Sequence, residues 1–141
     1  MGVTLDDDAR QYLAAFEDVT GVDGRDCLVT EEGDRVLIVV ERGGMGEAIG
    51  PGGRTVQRFE DRVDAQVRLV EDADDSEAFV ANVLAPAAVY NVTISENDDT
   101  VAYVEVAEDD HGVAIGTNGR TITAARTLAD RHFDIDDVQL I

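Results

Sequence analysis

Apolar residues recur along this chain at two different spacings. Leu5, Ala9, Leu13 and Phe16 lie about one helical turn apart, so they predict an amphipathic helix near the start. Residues 36–40 are instead apolar throughout, which is typical of a central strand. Over the first half, such patterns predict that helix, strands at 26–30 and 35–41, helices at 45–49 and 53–62, and a strand at 65–70.

The second half of the chain predicts the same elements in the same order. They are a helix from Ser76 that stops before Pro86, strands at 88–96 and 100–108, helices at 111–115 and 120–132, and a strand at 138–141. Thr4 and Ser76 are the predicted N-caps of the first helix in each half. The first two strands of each half should form a hairpin, through residues 31–34 in the first half. Because two helices connect the second strand to the third, those strands should be parallel.

The predicted fold class is therefore α/β (α+β), with the order α-β-β-α-α-β in each half. The helices should lie on one face of a three-stranded mixed sheet.

A seven-residue motif occurs twice, 66 positions apart (116 − 50 = 66). The first copy is Ile49-Gly50-Pro51-Gly52-Gly53-Arg54-Thr55 and the second is Ile115-Gly116-Thr117-Asn118-Gly119-Arg120-Thr121. An internal repeat of this kind indicates two similar units, which overrides the one-domain expectation for a short chain. We assign the first domain to residues 1–72 and the second to residues 73–141.

Acidic side chains dominate the composition. The chain has 31 Asp and Glu against 11 basic residues, all of them Arg, for a net charge of −20. A disordered acidic tail is disfavoured because the acids alternate with periodic apolar positions. A basic partner would account for the acids but not for the absence of Lys. We favour adaptation to molar salt, where the Debye length falls to about 3 Å and an acidic surface stays soluble.

The sequence also predicts a location. No apolar run approaches the roughly 20 residues of a membrane span. The first eight residues lack the basic and apolar regions of a signal peptide, and Cys27, the single cysteine, can form no internal disulfide. These features predict a cytoplasmic protein without a membrane partner.

The repeated motif resembles the helix–Gly-x-x-Gly–helix signature of KH domains, and the element order is similar to their type II form. Two such domains in one short chain resemble the archaeal NusA-like transcription termination/antitermination factors, and the resemblance covers residues 1–141. The resemblance implies single-stranded RNA as the partner, with RNA polymerase or other transcription proteins as further candidates. It implies no cofactor, no small-molecule substrate and no catalysis.

In KH domains, the glycine loop clamps the backbone of about four unpaired nucleotides. The resemblance places the clamps at Gly50, Pro51, Gly52 and Gly53 and at Gly116, Thr117, Asn118 and Gly119. It implies that Ile49 and Ile115 form the floor of the base groove or support the helix that bears it, and that Arg54 and Arg120 meet phosphates. KH loops often carry Lys or Arg between the glycines, whereas these loops do not. More Arg residues surround the first copy than the second, so we rank the first copy as the stronger phosphate contact.

Other interpretations remain at this stage. The loops could be simple tight turns, and Arg54 and Arg120 could pair with nearby acids. The chain could then be an acidic protein-interaction module that docks RNA polymerase or a ribosomal component. A phosphate-handling enzyme is disfavoured, because the sequence has no Walker-type Gly-Lys-Ser/Thr and no catalytic constellation. His111 follows Asp109 and Asp110, but a lone His beside loop acids is usually solvated rather than a metal ligand.

Overall fold

The computed structural model describes residues 6–30 and 33–141. The chain divides into two compact units, Met1–Asp72 and Ala73–Ile141. Thr4, the predicted first N-cap, and Glu31 and Glu32 of the predicted hairpin turn lie outside the described residues. No helix in the described ranges is both long and apolar enough to cross a membrane.

The first unit contains three helices and a three-stranded sheet. Its elements are α1 Asp7–Thr20, β1 Gly24–Val29, β2 Arg35–Val40, α2 Met45–Ile49, α3 Arg54–Val63 and β3 Gln66–Glu71. The strand order is β1-β2-β3, with β1 antiparallel and β3 parallel to the central β2. This is the mixed sheet predicted from the sequence.

The second unit repeats this arrangement. Its elements are α4 Ser76–Leu84, β4 Val89–Glu96, β5 Thr100–Val106, α5 His111–Ile115, α6 Arg120–Phe133 and β6 Asp137–Leu140. β5 is central, antiparallel to β4 and parallel to β6. The register of each hairpin shifts once, next to Arg25 in β1 and next to Tyr90 in β4. The α+β class with two mixed sheets is therefore confirmed.

Aspartates cap the first helix of each unit. The Asp6 side chain accepts from the N–H of Ala9 at 2.8 Å, and the Asp75 side chain accepts from the N–H of Ala78 at 2.7 Å. Ser76 was therefore wrong as a cap, and the first helix begins at Asp7 with Asp6 as its cap. A carboxylate satisfies the same free N–H as a hydroxyl and adds a favourable charge at the positive end of the helix dipole.

The first core lies between one face of the sheet and its helices. Val36, Ile38 and Val40 alternate along β2 and join Phe16 of α1 and Phe59 of α3 in one buried cluster. The two phenyl rings meet edge to face at 5.3 Å, which adds an aromatic term to the area they bury. The packing of α1 and α3 on the sheet therefore fixes the position of α3, whose N-terminus follows the glycine loop.

The second core uses the same design. Ala102, Val104 and Val106 of β5 are buried, and Phe79 of α4 packs against Phe133 of α6 with ring centroids 5.2 Å apart. Tyr90 is the contrast, because 69% of its surface is exposed.

Replacing Phe59 by Ala should lower the free energy of unfolding by about 3–5 kcal/mol, because a fully buried ring leaves a cavity. Tyr90→Ala is the matched control and should change it by less than about 0.5 kcal/mol. Chemical denaturation in molar KCl measures both values. Equal values for the two variants would contradict this account of the first core.

Candidate nucleic-acid interface

The two glycine loops have nearly the same backbone. The first loop glycine lies at φ 74°, ψ 173° in Gly50 and at φ 79°, ψ 168° in Gly116. The last lies at φ 77°, ψ 13° in Gly53 and at φ 74°, ψ 15° in Gly119. The sequence repeat is thus a repeat of backbone conformation.

A side chain on the first glycine of either loop would strike a threonine five positions later. A Cβ atom on Gly50 would lie 2.7 Å from Cβ of Thr55, and one on Gly116 would lie 2.9 Å from Cβ of Thr121. The φ and ψ angles of these glycines also fall in a region that is essentially restricted to glycine. The fold itself therefore requires glycine at this position.

Glycine occupies the last position of each loop for a different reason. A Cβ atom on Gly53 would have no heavy atom within 4 Å, and one on Gly119 would have only Oγ1 of Thr123, at 3.9 Å. Both residues adopt the left-handed conformation, which other residues reach at a cost of about 1–2 kcal/mol. Neither residue is crowded by the protein, so the backbone here is open to close approach from outside.

Two residues stand between the first and last glycine of each loop, and the backbone explains why the second of them, Gly52 or Asn118, is not basic. Gly52 lies at φ 62°, ψ 20° and Asn118 at φ 57°, ψ 25°, both left-handed. Glycine and asparagine adopt this conformation most readily, whereas a long side chain there would strain the turn. The residue types therefore follow from the turn.

Each loop leaves a backbone donor at its tip. The N–H of the last glycine donates to the carbonyl of the first, at 3.1 Å in the first loop and 3.0 Å in the second. In the ranges that the structure describes, no hydrogen bond uses the N–H of Gly52 or of Asn118. Successive N–H groups in such turns form concave sites for anions.

The helices that follow the loops begin without any side-chain cap. α3 and α6 have neither a capping hydrogen bond nor an acid in the first turn. α1 and α4 have both, with Asp7 and Asp8 in α1 and Glu77 in α4. The positive dipole end is thus neutralised at α1 and α4 but left without a side-chain partner next to each loop, where the N–H of Arg54 donates to the carbonyl of Pro51 and that of Arg120 to the carbonyl of Thr117.

Acids are missing from the chain around both loops. Residues 48–59 and 111–129 contain no Asp or Glu, in a chain with 31 of them. This signal is visible in the sequence, and sequence reasoning missed it. It keeps the local potential around both loops more positive than the net charge implies.

Arginines near the loops differ in their partners. Arg54 and Arg120 are exposed, and neither forms an ion pair within the described residues. Arg58, one turn after Arg54, is also exposed and forms no such pair within those ranges. The predicted alternative of acid-paired loop arginines is therefore not found there.

Two arginines farther along the helices are held by acids. Arg62 pairs with Asp18, and Arg126 pairs with Asp137 at 3.0 Å. Hydrogen bonds from Gln139 and the Val138 N–H, with the Arg126 charge, hold the pKa of Asp137 below its ordinary value despite partial desolvation. These arginines stabilise the fold and are less available to a ligand.

Exposed apolar side chains accompany the loops. Exposure repeats position by position between residues 45–55 and 111–121, so Ile49 and Ile115 are similarly exposed, at 38% and 43%. Val113, which sequence reasoning did not single out, is 44% exposed. Three of the five large apolar side chains that are exposed in the described ranges therefore precede a glycine loop; the other two are Tyr90 and Ile141.

His111 begins α5, and nothing near it forms a metal site. Across the described ranges, no group of three or more His, Cys, Asp or Glu side chains could hold a metal ion.

Each loop thus combines a main-chain donor, an arginine without an ion-pair partner in the described ranges and an exposed isoleucine.

Gly50→Ala should destabilise the chain more than Gly53→Ala, because only the first substitution adds a clash with Thr55 to the strain of a positive φ. We expect about 1–2 kcal/mol for Gly53→Ala and a larger loss for Gly50→Ala. Unfolding in molar KCl measures both, and the double variant Gly50→Ala/Thr55→Ala should recover part of the difference. Equal losses for the two single variants would show that Thr55 does not restrict the turn.

Comparisons with known proteins show the family and the fold of the chain. Residues 76–140 match the NusA-like second KH domain family. The chain is 59% identical to the "Probable transcription termination protein NusA" of Halococcus morrhuae and 56% identical to that of Halobacterium salinarum, over 99% of each chain. It superposes on the crystal structure of APE1850 with a TM-score of 0.83 and 28% identity, covering 97% of this chain and 100% of that one. That two of these relatives come from haloarchaea agrees with the interpretation of the acidic composition as an adaptation to molar salt. This chain belongs to the family of NusA-like transcription termination proteins.

Proposed function

We propose that this protein binds single-stranded RNA through two type II KH domains, at residues 1–72 and 73–141. The observation that carries the proposal is the match between the loops. Both place a free main-chain N–H group, a helix N-terminus without a side-chain cap and an unpaired arginine beside an exposed isoleucine. An RNA strand has the corresponding chemistry, with phosphates next to flat apolar bases.

In each domain, a phosphate would lie at the glycine loop. The N–H of Gly52 or of Asn118 would donate to its oxygens, and the positive end of the following helix would face its charge. Arg54 and Arg120, at the first position of those helices, would add a charged donor. The open space above Gly53 and Gly119 would let the RNA backbone approach.

The bases would lie beside the short helices, over Ile49 and Ile115. Bases in a duplex are stacked and paired, so an exposed apolar side chain next to a phosphate site favours an unpaired strand. Pro51 and Thr117 are exposed at the loop tips and would pass close to the RNA backbone.

The biological setting comes from the relatives. They are called transcription termination proteins, and we propose the same process for this chain, in the cytoplasm and without catalysis. RNA polymerase or another transcription protein would be a second partner. The first domain would contribute more phosphate binding, because Arg54 and Arg58 are both unpaired in the described ranges, whereas Ala124 stands at the position equivalent to Arg58.

Gly53→Asp and Gly119→Asp should each weaken binding to single-stranded RNA, and the double variant should weaken it more, because a carboxylate would face the phosphate. Asp tolerates the left-handed conformation, so the fold should survive. Gly21→Asp is a close control, since Gly21 has φ 72°, ψ 9° and nothing within 4 Å of its Cβ, away from the loop. We expect about a tenfold loss per loop variant in molar KCl, measured by fluorescence anisotropy. Equal affinity for Gly21→Asp and the double loop variant would reject the clamp assignment.

RNA affinity should depend only weakly on salt. Three unpaired arginines, Arg54, Arg58 and Arg120, correspond to a slope of about −2 in a plot of log K against log salt, at roughly −0.7 per neutralised phosphate. Titrations between 1 and 3 M KCl would measure it. A slope several times steeper would mean that many cations besides these three arginines contact the RNA.

A protein-interaction role has one observation in its favour, the 69% exposure of Tyr90 on the edge strand β4. Aromatic side chains are enriched in protein interfaces. RNA polymerase that stays bound to this protein after nuclease treatment and is lost with Tyr90→Ala would support that role. The protein-interaction role would be preferred to the RNA-binding role only if the wild-type protein showed no affinity for single-stranded RNA.

A further inference from the structure

The strand β4 lies at an edge of the second sheet, and it differs from the other edge strands. Within the described ranges, β5 is the only strand that pairs with it. An open edge presents unpaired N–H and C=O groups, and proteins usually protect such edges with charged residues or short strands. The other edges have this protection: β6 is only four residues long, and charges lie within β1 and β3, at Arg25, Asp26, Arg68 and Glu71. β4 has eight residues, and Glu96 at its end is its only charge.

The hydrogen bonds of β5 show which backbone groups of β4 face the open edge. The carbonyls of Thr100 and Val104 accept from N–H groups at the two ends of β6, so the even-numbered residues of β5 face β6 and the odd-numbered ones face β4. The residues of β4 opposite those odd-numbered positions are Asn91, Thr93 and Ser95. The N–H and C=O groups of Val92 and Ile94 therefore point away from β5, towards the open edge.

The segment that contains β4 is free of charge. Residues 78–95 include no Asp, Glu or Arg, in a chain of which 30% is charged. Only residues 111–129, next to the second glycine loop, form a longer stretch without acids. Much of residues 78–84 is core, but six later residues are exposed: Ala85, Pro86, Ala88, Tyr90, Asn91 and Thr93. A surface that lacks charge and carries an exposed aromatic ring is typical of a protein contact.

The absence of charge also decides which partner fits. RNA would need cations, and residues 78–95 have none. A basic protein would need acids, and the acid that meets this segment, Asp110, already accepts from the N–H of Ala88 at 2.8 Å. A second copy of the chain carries the same net charge of −20, so two copies meet best where neither contributes acids. A twofold contact needs a surface that is compatible with itself, and β4 is one.

We propose that β4 pairs with β4 of a second copy in antiparallel orientation, which joins the second-domain sheets of the two copies. In a pair centred on Val92, the outward N–H and C=O groups of the two copies face each other, and Tyr90 lies opposite Ile94 of the second copy. An aromatic and a β-branched residue are a favourable cross-strand pair. Glu96 then lies opposite Ala88, so no charge of β4 faces another. The dimer goes beyond the proposed RNA binding and does not depend on it.

Light scattering of the full chain in molar KCl, without nucleic acid, should give a mass that rises towards twice the chain mass as protein concentration increases. Val92→Pro should raise the dissociation constant of the dimer at least about tenfold, because proline removes an N–H at the open edge. The circular dichroism spectrum should match that of the wild type, since this N–H points away from β5.

A second variant tests the same edge without changing a backbone group. Asn91→Glu/Thr93→Glu adds acids at exposed positions that lie opposite each other in the proposed pair, so the dimer should weaken about tenfold. Gln11→Glu/Ala14→Glu adds two acids at exposed positions of α1 and should leave the dimer unchanged.

A wild-type chain that stays monomeric at every concentration would overturn the proposal. If that monomer bound RNA polymerase and lost it with Tyr90→Ala, the surface would belong to that partner instead. A dimer that neither β4 variant weakens would also overturn the proposal, because its interface would lie elsewhere. No RNA is present in these measurements, so their outcome is separate from success or failure of the proposed RNA binding.

Discussion

The turn between the short and long helices of each unit depends on a backbone conformation that only glycine adopts easily. At Gly50 and Gly116, φ near 75° and ψ near 170° reverse the chain sharply, and the threonine of the next helix occupies the space of a side chain. The turn is therefore held by the backbone itself. This is why Pro51-Gly52 and Thr117-Asn118, which differ in both residues, give nearly the same loop.

Everything proposed for the interface follows from that turn. The long helix starts directly after it, so a free loop N–H group and a positive dipole end lie together, and the preceding isoleucine is left at the surface. A net charge of −20 opposes an RNA ligand over long distances. At molar salt such repulsion is screened within about 3 Å, whereas hydrogen bonds and apolar contacts act at contact distance and persist. Asp and Glu are absent from the chain next to the loops, where an acidic side chain would lie so close to a phosphate that salt would screen their repulsion least.

Much of this could be predicted from the sequence. The apolar spacing of residues 36–40 and the repeated loop predicted both mixed sheets and placed most helices and strands within two or three residues. The capping residue of each first helix was harder to predict, because several neighbouring polar residues can cap. Asp6 and Asp75 are the caps, rather than the predicted Thr4 and Ser76. Long-range pairing was harder still: nothing in the spacing shows that Arg62 meets Asp18, 44 positions away, whereas Arg54 stays unpaired in the described ranges. The exposure of Val113 was not predicted, because a helix of five residues is too short for apolar periodicity to show which face is buried.

The central claim is that main-chain N–H groups of the two loops bind RNA phosphate. The most direct measurement is a titration of ¹⁵N-labelled protein with single-stranded RNA in molar KCl, followed by amide chemical shifts. The account predicts the largest shifts at Gly52, Gly53 and Arg54 and at Asn118, Gly119 and Arg120, with little change along β4. Shifts concentrated around Tyr90, with both loops unaffected, would contradict it.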